Sequence, residues 1–138
     1  MPSFSFQKKF ANKVKRNTKP GTVRDKRKRP MKVGDMMHCF TGMRTKNCQK
    51  IVSRKNLAIV NIKILYKPNE DPELIDYPAI ELNGVELTYM LAESFAVDDG
   101  FKSFIHFIQF FREQYGLPFN GDWYVWKESA LKKYGITQ

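Results

Sequence analysis

Residues 79–87 read AIELNGVEL. Apolar and acidic residues alternate on both sides of Asn83-Gly84, and Asn-Gly is the pair a tight two-residue turn favours, because both central residues need positive φ. This is the strongest hairpin signal in the chain. It commits the sheet to at least one antiparallel pair. Upstream, a long strand pattern runs from Gln49 to about Tyr66, with Val60, Ile62 and Ile64 alternating against Asn61 and Lys63. The Pro- and acid-rich stretch KPNEDPELIDYP reads as the loop between the two.

Downstream, residues 88–116 read as helix broken around Asp98-Asp99-Gly100, with Asp98 or Asp99 as N-cap of the second half. Phe101, Phe104, Ile105, Ile108, Phe111 and Tyr115 form its expected buried stripe, and Gly116 its stop. FNGDWYVWK is a last strand, and the tail after it has room for one helical turn. At the other end, Phe4 and Phe6 alternate with serines as a short strand. A helix follows with Phe6, Phe10, Ala11 and Val14 on one stripe and Lys or Arg almost everywhere else. Pro20 ends it near residues 17–19. Thr22-Val23-Arg24 is extended, residues 26–35 form a loop whose VGD turns into the strand MMHCF, and residues 41–48 are a polar connection. The order β, α, several strands, α, β describes an α+β domain of mostly antiparallel strands with flanking helices.

The chain has 138 residues, of which 42% are hydrophobic, so it can bury a core and is not compositionally disordered. One domain over 1–138 is expected, with its core over about 3–127 and a short C-terminal tail. No segment reaches the ~18 apolar residues of a membrane span. The N-terminal stretch MPSFSFQKKF lacks the apolar region and cleavage site of a secretory signal. The expectation is a soluble cytoplasmic protein, monomeric, with no membrane partner. Cys39, Cys48, His38 and His106 match no zinc spacing, so neither metal nor cofactor is expected. The two cysteines read as small hydrophobes facing each other across a hairpin.

Charge carries more functional information. Residues 1–56 hold seventeen Lys/Arg and two acids, whereas residues 57–138 hold seven and twelve. A cationic surface of that density points to a polyanion, and nucleic acid is the commonest inside cells. The run Lys26, Arg27, Lys28, Arg29 is built into the domain rather than placed on a tail. It reads as a phosphate-contacting loop beside the helix that carries Lys13 and Arg16, not as a nuclear import signal. Arg44 and Lys46 can line the same rim, or simply make a polar hairpin tip. Tyr124, with Trp123 and Trp126, is a candidate stacking surface. Strand alternation puts Trp123 with Val125 on one face and Tyr124 with Trp126 on the other, and one buried face is expected.

Three local motifs resemble the ASCH domain, a branch of the PUA-like β-barrel superfamily. The first is Lys19-x-x-Thr22-x-Arg24 followed by Lys32-Val33-Gly34-Asp35, similar to the family's G-x-K-x-x-T-x-R and K-x-G-D. The second is Thr41-Gly42, with Cys48 near the next strand. The third is Ala96-x-Asp98-Asp99-Gly100-Phe101, then an aromatic helix and a late strand ending in Trp126. The resemblance spans residues 3 to 127. Asn17 stands where the family has Gly, and Asn is the non-Gly residue that best tolerates positive φ.

The resemblance implies a small barrel with a cleft beside the first helix that takes RNA or a modified nucleoside. It also implies an alternative, an amidohydrolase of N4-acetylcytidine-type nucleosides. There Lys19, Thr22 and an acid, Asp98 or Asp99, would carry the chemistry. A ribonuclease is a further implied option. The residue types allow amide hydrolysis: a threonine hydroxyl needs a base, a lysine becomes one when its pKa falls, an Asp shuttles a proton, and Arg24 forks onto an oxygen. They allow mere binding equally well. Without the resemblance, Thr22 reads as an ordinary strand residue and Arg24 as a surface charge. A third class is a module whose basic face meets an acidic protein.

Overall fold

The computed structural model describes residues 3–137. Its α+β chain divides into two compact units, one of Met1–Thr22, Arg27–Ile59 and Tyr124–Gln138, the other of Val23–Lys26 and Val60–Trp123.

In the first unit, β1 (Ser3–Phe6) buries Phe4 and Phe6 and exposes the serines. The helix α1 (Lys8–Lys15) buries only Phe10 and Val14 and leaves its lysines in solvent. Asn17 follows at φ 60°, a left-handed conformation that Asn tolerates better than most residues. β3 (Met36–Thr41) lies parallel to β1 and antiparallel to β4 (Gln49–Lys55), giving a three-stranded sheet in the order β1-β3-β4. α1 lies in the connection leading from β1 to β3. It covers the face that carries Phe4, Met37 and Cys39, all buried. The short α4 (Glu128–Lys133) buries Ala130 and Leu131.

The second sheet has five strands in the order β2-β8-β5-β6-β7, where β2 is Gly21–Asp25, β5 is Ala58–Lys67, β6 is Tyr77–Leu82, β7 is Val85–Glu86 and β8 is Phe119–Val125. The Asn-Gly hairpin forms as expected, with Asn83 at φ 50° and Gly84 at φ 83°, and Leu82 opposite Val85. Lys67 reaches Glu86 at 2.8 Å and also pairs with Glu81. These two carboxylates hold its ammonium well above the ordinary lysine pKa and tie β5, β6 and β7 together. The helices α2 (Tyr89–Asp98) and α3 (Phe104–Gln114) build an aromatic core. In it the Phe95 ring lies 4.8 Å from Trp123, and Phe111 lies 5.2 Å from Phe119.

Several expectations are corrected. The strand over 49–66 is two strands, because the chain leaves one sheet for the other at Asn56. Asn56 is fully buried. Its N–H donates to the Asp35 carbonyl, its carbonyl accepts from Gly34 N–H, and its Nδ2 reaches the Lys32 carbonyl at 3.2 Å. Asp98 and Asp99 do not cap α3. They close α2, as its last residue and its C-cap, while the Ser103 hydroxyl caps α3 by accepting from His106 N–H. Phe107 joins the α3 stripe, and Ile105 is 63% exposed. Cys39 pairs with Val52 rather than with Cys48, which is exposed. From Trp123 to Val125 both faces of β8 are buried, not one, while Asn120 is exposed and Asp122 half-buried nearer its start. The α+β class with mostly antiparallel strands is as expected; among the described residues the strands fall into two sheets, in which no closed barrel is detected.

Gly121 shows how tightly β8 is set. A Cβ there would fall on the Arg24 carbonyl oxygen of β2 and within 2.6 Å of the Phe119 ring. Backbone cannot yield cheaply, so Gly121→Ala is expected to cost ~1–3 kcal/mol of stability. Urea denaturation of the two proteins checks it, and unchanged midpoints would mean that β2 and β8 are less closely apposed.

Candidate functional site

The turn between α1 and β2 is fastened by several hydrogen bonds from elsewhere in the first unit. Asn17 reverses the chain so that the N–H groups of Thr18 and Lys19 both donate to the Lys13 carbonyl, at 3.0 and 3.1 Å. Arg54 reaches from β4 and donates through Nη2 to the Val14 and Lys15 carbonyls, each at 2.9 Å. It thereby satisfies carbonyls that a helix C-terminus leaves over. Further along, the Trp126 indole N–H donates to the Lys19 carbonyl at 2.7 Å, and its backbone N–H donates to the Pro20 carbonyl at 2.9 Å. Lys127 Nζ donates to the Asn17 carbonyl at 3.0 Å.

The consequence is a fixed lysine. Lys19 is only 4% exposed, and its ammonium sits 5.4 Å from the centre of the Phe10 ring, within cation–π range. Lysine is rarely buried unless something specific holds it. Thr22, three residues on, is 3% exposed at the start of β2. Arg24 is half-buried further along β2, in the second unit. Asp99 is buried and Asp98 half-buried at the end of α2, also in the second unit.

The basic candidates divide. Lys13 and Arg16 are exposed on and just after α1, and Lys28 and Arg29 are exposed in the loop after β2. Arg27 lies over the Phe4 ring at 4.9 Å. Lys26 is partly compensated, since its Nζ is 3.3 Å from Asp122. Arg44, at φ 66°, and Lys46 are exposed in the turn from β3 to β4, where Thr45 Oγ1 donates to the Gly42 carbonyl. Tyr124 does not offer a stacking surface. It is 1% exposed and its ring packs 5.6 Å from Phe4.

Folding sharpens the charge asymmetry beyond the two halves of the sequence. The first unit holds eighteen Lys/Arg against Asp35 and Glu128, a net +16, and the second holds six against twelve acids, a net −6. The residues missed by sequence reasoning are the fasteners: Arg54, Lys127 and the indole N–H of Trp126. Their partners are backbone carbonyls, which leave no mark in side-chain patterns. Among the described residues no group of His, Cys, Asp or Glu is disposed to hold a metal, and no helix is long and apolar enough to cross a membrane.

A comparison with protein families, curated proteins and solved structures found no match.

Proposed function

We propose that the chain is an ASCH-like domain that binds RNA or a modified nucleoside through its basic unit, with Lys19 and Thr22 at the recognition point. The observation that carries this reading is a net charge of +16 on one compact unit, with only two acids in it. Exposed Lys13, Arg16, Lys28 and Arg29 supply the phosphate attraction. The K-x-x-T-x-R motif supports the reading from the sequence side. Titration of a fluorescein-labelled single-stranded RNA at 50 mM salt tests it. Saturable binding is expected, and no binding would sink the proposal.

A second reading is favoured by one observation: Lys19 and Thr22 are buried, whereas side chains that only touch phosphates need not be. In that reading the same domain is an amidohydrolase of N4-acylated cytidine. Incubation with N4-acetylcytidine should then release cytidine, and Lys19→Ala and Thr22→Ala should each abolish release. Absence of turnover would remove this second reading.

A further inference from the structure

The three-stranded sheet has a second face, turned away from α1. Strand alternation assigns it Met36, His38 and Phe40 from the central strand β3. Cross-strand register adds Ser5 and Lys50 beside Phe40, Ser53 beside His38, and Lys55 beside Met36. Ser5, Met36, Lys50 and Lys55 are exposed, and Phe40 and His38 are only partly covered. The rings of Phe4, Phe6 and Phe10 are buried, whereas Phe40 is only partly covered.

A register shift between Cys39 and Phe40 shapes this face. Val52 lies opposite Cys39, but Lys50, not Ile51, lies opposite Phe40. With unbroken pairing Ile51 would oppose Phe40, and Lys50 would oppose Thr41 on the α1 side. The bulge moves a lysine onto the face of the aromatic ring. Bulges that re-aim one side chain in this way are features that sequences keep for a purpose.

We propose that this face is a stacking platform for single-stranded RNA, with a base on Phe40 and the flanking phosphates on Lys50 and Lys55. The inference rests on the nucleic-acid reading above and adds a surface and a substrate class to it. The occupant follows from chemistry. The named face residues are aromatic, neutral polar or cationic apart from the apolar Met36, and none is acidic. Of the unit's two acids, Asp35 is engaged in its own turn, where its carboxylate accepts from Lys32 N–H at 2.9 Å. An aromatic ring in mid-sheet with cations at its margin suits an unpaired base joined to phosphate. A base inside a duplex has no free face to offer. His38, held at 2.9 Å from the Ser53 hydroxyl through Nδ1, is set as the next ring along the strand.

The test uses the full chain and two probes, labelled decauridine and a labelled RNA hairpin duplex, read by fluorescence anisotropy. Phe40→Ala is expected to weaken decauridine binding about tenfold, within the range of base–aromatic stacking, and to leave duplex binding unchanged. Phe40→Leu keeps the apolar volume, guards against a folding artefact, and should weaken binding similarly. Phe40→Trp should retain binding and have its emission quenched by the oligonucleotide. If Phe40→Ala and Phe40→Leu bind decauridine as the unaltered protein does, the platform is wrong and the broader reading stands. If the unaltered protein binds neither probe, both fail. Equal weakening on the duplex, or displacement of decauridine by polyglutamate at equal charge, would also overturn the platform.

Discussion

Trp126→Ala is expected to destabilise the protein by about 3–5 kcal/mol, the range for truncating a buried aromatic. For a domain whose whole stability is ~5–15 kcal/mol, that places the variant near unfolding at 37 °C. The size of the effect comes from how many parts meet at this residue. Its ring lies 6.3 Å from Phe6 at a steep angle, its indole N–H donates to the Lys19 carbonyl, and its backbone N–H donates to Pro20. Alanine keeps only the last of these. Trp126→Phe separates the terms. It preserves an aromatic ring against Phe6 but leaves the buried Lys19 carbonyl without its donor, at a cost of ~1–3 kcal/mol. Urea denaturation followed by far-UV circular dichroism reads both, without relying on tryptophan emission. A phenylalanine variant that melts with the unaltered protein would mean that the indole bond adds nothing. If Lys19 is part of the recognition point, Trp126→Phe should also weaken ligand binding under conditions where it is fully folded.

That dependence explains which parts of the molecule were legible in the sequence. The hairpin at Asn83-Gly84 was, because the requirement for positive φ is local and two residues satisfy it alone. The stripe of α1 was, because Phe10 and Val14 fall one turn apart amid lysines. The break at Asn56 was not. Residues 49–66 hold strand character on both sides of it, and the switch of sheets is imposed by distant backbone, through Asp35, Gly34 and Lys32. The cap of α3 was misassigned for a related reason. Asp98 and Asp99 are as good at capping as Ser103, and only the packing of α2 decides that the aspartates finish one helix and the serine starts the next.

The candidate site divides in the same way. Its composition was readable and its burial was not. Lysine in a basic stretch reads as solvated, and nothing adjacent to Lys19 in sequence announces Phe10 or Trp126 as its surroundings. The bulge that brings Lys50 beside Phe40 was equally hidden, since a one-residue register shift depends on a partner strand.

The salt dependence of RNA binding should then separate the two kinds of contact. Each phosphate neutralised on a single strand contributes about −0.7 to the slope of log affinity against log salt. Six such contacts give a slope of about −4, and binding roughly 300-fold weaker at 200 mM than at 50 mM salt. Lys28→Gln and Arg29→Gln, exposed and remote from the core, should each flatten the slope by about 0.7 if their side chains meet phosphates. Lys50→Gln should do the same if the sheet face is occupied. Phe40→Ala should behave differently, because stacking releases no counterion. Its line should run parallel to that of the unaltered protein, displaced downward by about one log unit at every salt concentration. Anisotropy titrations at four salt concentrations give all five lines. A slope near zero for the unaltered protein would remove phosphate from the account, since a unit carrying +16 cannot meet a polyanion without displacing its counterions. A Phe40→Ala line that converges with the others at high salt would mean that the ring acts only by placing Lys50.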